Sequence, residues 1–539
     1  MGKKSWICTL LFLFLGTTVA HATPGIYEIW YSEQPTELPY VQGGQVVLQW
    51  RDIHIDDDEY DWTPLDELLS ELTYPVTLQV NGNRKPDFLF EKIPYKSNWG
   101  EVQVRDPEGI LMYWHPDYVQ HYSAFLLALG DHLAESPYRS NILGVRQNYN
   151  AVGTEILNVP VEHRDASTWT VPTGATNGPN WTAARLYNYQ KVILDAFIAA
   201  FQEGRTDPIR LFVRNNLPDV VLDAQANGKP AGYTYADYFR DGVLSLFHTS
   251  SDIEPRTAAI ANRFDFFHTF VRPGDTQGFA ESHSSAWGDH GQQQTVSWAT
   301  PPQKNYWRLL GDLHMGISYL AVYSPDLEVA AQGTYKGTNV GGNYKQEFDK
   351  AFRFAARYAG FHADPVASPG AWIAFRSSAL DLSPSTYQSR VQDYSMHMTL
   401  LNPEDTAALD ARIDGADVPL VPNRTIEGQR SIGPFHQRFG AWARATTPQK
   451  EMLLRLDPDF TVSVNAAAAP RIAVTYLDEG CGTFTAQFGM RSETVKLKNT
   501  GGWVTKSWTV TSDFVEDGAG AHIRIAGDAT LHMVEISKE

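Results

Sequence analysis

Two glutamates carry the most chemical weight in this sequence. Glu281 ends an otherwise apolar run, Gly278-Phe279-Ala280-Glu281, and Glu155 follows Gly153-Thr154. A carboxylate at the end of an apolar strand is costly to desolvate unless it is used. Two such groups suit retaining glycoside hydrolysis. One carboxyl protonates the leaving oxygen and the other, ionised, attacks the anomeric carbon from roughly 5–5.5 Å away. This reading makes Glu155 the acid/base and Glu281 the nucleophile. Candidate sugar contacts are Trp50, Asp52, Trp114, His115, Asn148, Asn150, Arg214, His248, His283, Trp287 and Tyr323. Tryptophan and tyrosine faces stack on the apolar faces of sugar rings. The histidines and Arg214 offer polar contacts to hydroxyls. Each residue taken alone also has an ordinary explanation: Asp52 as a turn cap, Glu155 in a helix first turn, the histidines as packed core.

These side chains need elements that converge. Short apolar runs at 46–50, 76–80, 110–114, 142–145, 209–213, 243–247, 276–280 and 317–322 predict eight strands. Helical spacing predicts helices over 63–72, 118–133, 183–201, 256–270, 303–313 and 344–358. Such alternation favours a parallel sheet with right-handed crossovers, and eight repeats predict a (β/α)8 barrel over 23–362. Catalytic groups of that fold stand at the carboxyl ends of the strands, where every candidate above falls in this count. Strands four and seven face each other across the mouth, so Glu155 and Glu281 can meet.

After 362 the period changes to two. Strands are expected over 372–376, 394–399, 439–445, 471–476 and 483–488, with hairpin turns at 499–502 and 527–528. Residues 363–539 therefore read as an antiparallel β-sandwich. Trp503 and Trp508 are its aromatic candidates for glycan contact, although tryptophans of a sandwich are more often core.

The first 22 residues have the pattern of a secretory signal: Lys3 and Lys4, an apolar run, then Ala20-His21-Ala22. Cleavage is expected after Ala22, giving a secreted or periplasmic product. Cys8 would leave with the leader, so Cys481 would have no intrachain partner. No stretch is long enough to predict a membrane span. A net charge of −18 argues against a nucleic-acid partner, which needs a basic surface. No His-Glu-x-x-His, phosphate loop or nucleophile-elbow serine occurs, so no metal and no cofactor is expected. The acidic run 56–59 reads as a solvated loop, with calcium binding as the alternative.

The segment Leu48-Gln49-Trp50-Arg51-Asp52-Ile53, followed by Tyr60-Asp61-Trp62-Thr63-Pro64-Leu65-Asp66, resembles the start of the glycoside hydrolases of clan A, in particular their β-galactosidase-like branch. Gly153-Thr154-Glu155 stands where that clan keeps its acid/base, and Phe279-Ala280-Glu281 where it keeps its nucleophile. Residues 309–323, with Met315-Gly316-Ile317-Ser318-Tyr319, resemble its eighth-strand region. The likeness spans 40–330. It departs at Thr154, where the clan usually has asparagine, so the role of holding the neighbouring sugar hydroxyl would pass to Asn148 or Asn150. The resemblance implies retaining cleavage of β-glycosidic bonds in a polysaccharide or its oligosaccharides, with an algal, sulfated galactan as the leaning. A catalytically inactive carbohydrate-binding protein on the same scaffold is the alternative. Residues 474–480 resemble sandwich domains that accompany polysaccharide-degrading enzymes.

Overall fold

Eight parallel strands close on themselves in the computed structural model, which describes residues 23–29, 36–97, 99, 103–214, 219–250, 267–282, 285–287, 300–376, 393–410, 431–446 and 449–538. They are β1 (Gly25–Ile29), β2 (Val41–Gln49), β3 (Val76–Asn81), β4 (Ile142–Arg146), β5 (Leu211–Arg214), β6 (Leu244–Ser250), β7 (Gly278–Ser282) and β8 (Tyr319–Tyr323). Pairing of β1 with both β2 and β8 closes the ring. The helices that matter below are α1 (Thr63–Ser70), α2 (Pro116–Glu135), α3 (Ala183–Phe201), α4 (Pro301–His314), α5 (Ser324–Gln332) and α6 (Gly342–Tyr358). Their ends follow from local chemistry. The Thr182 hydroxyl accepts from Arg185 N to start α3, Thr300 and Gln303 form a capping box at α4, and Gly333, at φ +80°, ends α5.

The barrel count needs two corrections. Gly25–Ile29 is the first strand, so the runs at 46–50 and 76–80 belong to the second and third. The run at 110–114 is not a barrel strand. Only Ile110–Leu111 is extended, and it pairs antiparallel with Tyr95–Lys96 in the long connection after β3. Its apolar composition has another cause. Tyr113 packs on Tyr189, Trp114 on Trp169, and the Tyr113 hydroxyl accepts from Trp181 Nε1, so the segment is buried under loops. Of the helix expected over 256–270, all but the last residues lie outside the described residues; Phe267–Val271 is a single π-turn.

The barrel interior is aromatic. Phe212 of β5 meets Phe279 of β7 at 5.1 Å and Tyr319 of β8 at 5.8 Å, while Tyr27 of β1 sets an edge on Tyr319 at 5.7 Å. Phe247 of β6 stacks on Phe279 at 5.7 Å. These rings fill the barrel beneath its carboxyl end, as inward side-chain layers do in this fold.

Beyond α6 the chain forms two antiparallel sheets, of seven and five strands among the described residues. Ile373, Phe375, Leu454, Phe484, Ile523 and Val534 belong to one core between them. The expected hairpin turns at 499–502 and 527–528 are corrected. Each carries the chain from one sheet to the other: Arg491–Lys496 pairs with Thr483–Phe488, whereas Trp503–Thr509 pairs with Arg471–Leu477. Likewise Ile523–Gly527 and Thr530–Ser537 lie in different sheets. Trp503 and Trp508 are buried, with Trp503 Nε1 donating to Ile432 O at 2.8 Å. Helix α4 seats the barrel on the seven-stranded sheet. Trp307 packs edge-on to Trp442 at 4.9 Å, and the Tyr306 hydroxyl lies 2.9 Å from His532 Nε2.

Candidate active site

The carboxyl end of the barrel gathers a polar network from strands on opposite sides. Glu281 stands near the end of β7 and is only 6% exposed. Its Oε2 accepts from Gln45 Nε2 of β2 at 3.0 Å and from Arg146 Nη1 of β4 at 2.5 Å. Arg146 Nη1 also donates to Gln79 Oε1 of β3, and Gln79 in turn bonds Gln45 and Asn81. Strand alternation explains this arrangement: Thr77, Gln79 and Asn81 share one face of β3, and Gly144 and Arg146 share one face of β4.

Glu155 reaches the same place from the loop after β4. Gly153 adopts φ +70°, and a Cβ there would come within 2.5 Å of Gln103, so glycine permits the turn that aims Glu155. Glu155 N donates to Gln103 Oε1 at 3.0 Å. Its side chain, 27% exposed, pairs with Arg146 Nη2 and, at 2.7 Å, with Arg214 Nη1 from the end of β5. One guanidinium therefore touches both glutamates, which sets the carboxylates close together. That guanidinium lies over the Phe247 ring, 4.0 Å from its centroid, so the top of the aromatic plug is the floor of the site.

Among the described residues, Arg214 is thus a proposed sugar contact that the structure brings against Glu155. Tyr323, the last residue of β8, keeps its place at the carboxyl end of the barrel, in register with Ile29. Several others are elsewhere. Trp50 is fully buried, with Nε1 bonded to His54 Nδ1 at 3.1 Å and its ring against Tyr122, so it offers no stacking face. Trp114 is buried too and donates Nε1 to Pro179 O at 2.7 Å. His115 caps α2 by accepting from Asp117 N, and burial lowers its basicity. Neither of the last two follows a barrel strand. Trp287 stacks on Tyr335 at 4.1 Å and lies tilted against Phe348 of α6 at 5.6 Å. Asp52 is exposed on the short helix Trp50–Ile53.

Asn148 and Asn150 are both buried and brace the loop. Each donates Nδ2 to Val80 O, at 3.2 and 3.3 Å, and Asn150 also bonds the Tyr122 hydroxyl at 3.0 Å. Asn150 sits at φ +48°, a left-handed conformation that asparagine tolerates better than most residues. They therefore do not supply the amide proposed for the sugar hydroxyl. His248 lies on β6, paired in register with Ala280, and its side chain is outside the described residues; His283 is outside them altogether.

Arg146, Gln45, Gln79, Phe247 and Gln103 went unread in the sequence. For Arg146 the signal was present: a charged residue two positions after Gly144 continues the inward face of β4.

A (β/α)8 barrel with a carboxylate pair at its mouth is thereby defined, as the resemblance to clan A implies. No protein-family model matches the sequence, and no curated protein matches it. Among solved structures the chain is similar to the catalytic domain of beta-amylase from Paenibacillus polymyxa, at 10% identity and TM-score 0.35 over 63% of this chain and 99% of that one. It is similar to the beta-galactosidase of the psychrophilic Marinomonas ef1, at 11% identity and TM-score 0.34 over 62% of this chain and 59% of that one. It is also similar to the exo-carrageenase GH42 of Bacteroides ovatus, at 10% identity and TM-score 0.34 over 64% and 52%.

Proposed function

We propose that the chain is an exported glycoside hydrolase that cleaves β-glycosidic bonds in a polysaccharide or its oligosaccharides with retention of configuration. The observation that carries this is the meeting of Glu281 and Glu155, from opposite sides of the barrel, on the single guanidinium of Arg146. In the first half-reaction the Glu281 carboxylate forms a bond to the anomeric carbon while the bond to the leaving oxygen breaks. The leaving oxygen takes the proton of Glu155. In the second, water attacks the anomeric carbon, Glu155 takes a proton from that water, and the bond to Glu281 breaks. Gln45 and Arg146 fix the nucleophile's oxygen in one orientation, which lowers the cost of reaching the reactive geometry. Substrate has to draw a guanidinium away from Glu155 before its carboxyl can face the glycosidic oxygen.

Arg146 and Arg214 also favour a glycan that carries anionic groups, since a sulfate can replace a carboxylate as partner of a displaced guanidinium. A sulfated galactan is the substrate class we infer. The 1–22 segment would be removed on export. The test is release of reducing ends from plant and algal polysaccharides by the mature chain. Glu281→Ala should abolish it, and azide should rescue a slow variant as the glycosyl azide of inverted configuration. Full activity in Glu281→Ala overturns the assignment. The clasp of two arginines on Glu155 also supports the second reading, an inactive carbohydrate-binding protein. Saturable glycan binding without turnover would establish it.

A further inference from the structure

We propose that Lys85 is the positioning residue for the acid/base, fastening the loop that carries Glu155 to the end of the third barrel strand. This rests on the reading of Glu155 given above. Lys85 is 3% exposed, and its Nζ donates to Gly153 O at 3.1 Å and to Gly82 O. Gly82 directly follows β3, and Gly153 stands two residues before Glu155. A second tie runs alongside: Thr154 Oγ1 accepts from Gly82 N at 3.2 Å and bonds Asn83 Oδ1. Lys85 N donates to Asp106 Oδ2 at 2.8 Å, and Arg105 N donates to Asn83 O at 3.0 Å, so segment 103–106, which supplies Gln103 to Glu155, joins the same knot.

A buried ammonium is expensive, and an apolar residue of similar length would be cheaper in packing alone. The return is that two buried backbone carbonyls, of Gly82 and Gly153, gain donors. Asp106 is the charged group that faces Lys85; Arg51 and Glu108 act in turn on Asp106. Burial lowers the ammonium to about 7 and raises the Asp106 carboxyl to about 6. A neutral amine still carries two N–H donors, so the tie to both carbonyls survives deprotonation.

The tie acts on proton donation and leaves the nucleophile untouched, and this difference can be measured. A leaving group such as 2,4-dinitrophenolate departs without a proton, whereas phenolate gains from one. General-acid help is worth about 10²–10⁴-fold. Lys85→Met should therefore cut kcat/KM on the phenyl glycoside about a hundredfold. It should leave the 2,4-dinitrophenyl glycoside within about fivefold of the native chain. Both glycosides carry the sugar that the native chain releases. Lys85→Gln, which retains an N–H donor, should recover part of the loss. Equal losses on the two substrates, or no loss on either, overturn the proposal. Should Lys85→Met fail to fold, Thr154→Val removes the parallel tie at nearly constant volume and must show the same selectivity. Glu155→Ala separates the two levels of the argument. If it shows no leaving-group selectivity, Glu155 is not the acid. If it does and the Lys85 and Thr154 variants do not, only the positioning role falls.

Discussion

Nη1 of Arg146 lies 2.5 Å from Oε2 of Glu281, a contact that crosses the barrel from β4 to β7. Both side chains are almost fully buried, and the opposite nitrogen of the same guanidinium reaches Glu155. The carboxylate pair is therefore spaced by a cation built into the barrel wall, in addition to the strands that carry it.

Replacing that fork by a single ammonium tests its role. Arg146→Lys keeps the charge and loses simultaneous contact with both glutamates. We expect kcat/KM to fall about a hundredfold, the worth of roughly 2–3 kcal/mol in charge-assisted hydrogen bonds. Circular dichroism should stay native. Undiminished turnover would show that the bridge is dispensable.

Asn150 should matter for stability more than for affinity. Asn150→Ala loses Nδ2 bonds to Val80 O and the Tyr122 hydroxyl and places alanine at φ +48°. The combined cost is about 2–3 kcal/mol, read as a lower midpoint in urea. KM of the folded fraction should be unchanged; a large rise in KM would return Asn150 to the sugar site.

Stability should fall in acid because of His362, at the joint between barrel and sandwich. Its Nε2 lies 2.7 Å from Val271 O, and burial lowers its proton affinity from 6.5 to about 4. The unfolded chain binds a proton between these values and the folded chain does not. The contribution of His362 is thus complete above about pH 6.5 and is lost as pH falls through about 4, by an amount of order 3 kcal/mol. His362→Gln should flatten this part of the urea-stability profile. An unchanged acid limb would place the titrating group elsewhere.

Tyr306 and His532 couple barrel to sandwich through one buried hydrogen bond. Tyr306→Phe and His532→Leu should each destabilise by about 1–3 kcal/mol, since the first removes the partner of His532 Nε2 and the second leaves the Tyr306 hydroxyl only weaker contacts such as Met533 Sδ at 3.9 Å. The double variant should lose about 1 kcal/mol less than the sum of the two. Strict additivity would mean that the contact carries no coupling.

Much of this architecture was legible because β4, β7 and α3 are long or regular enough for periodicity to show, and α3 ends at the expected residues. Two regions misled for identifiable reasons. Gly25–Ile29 is no shorter than β4 or β7, but it stands close to the apolar leader and gives no signal separate from it. Residues 110–114 have the composition of a buried strand because loops bury them on all sides, and composition does not distinguish that from a sheet interior. At the site, carboxylates at strand ends were visible as costly residues in apolar runs. Trp50 and Trp114 were misjudged because chain position gives no direction for a side chain: both sit near the rim in sequence and point into packing. Composition alone ends β4 at Val145, its last apolar residue, whereas the strand runs one position further and carries Arg146.

The aromatic packing gives the candidate site an apolar floor. Phe212, Phe247, Phe279 and Tyr319 pack ring against ring below the carboxylates. On the proposed double displacement, the water of the second step would come from the rim, past the position that the leaving sugar vacates. Slow clearance of that sugar should then favour its return to the glycosyl-enzyme over hydrolysis.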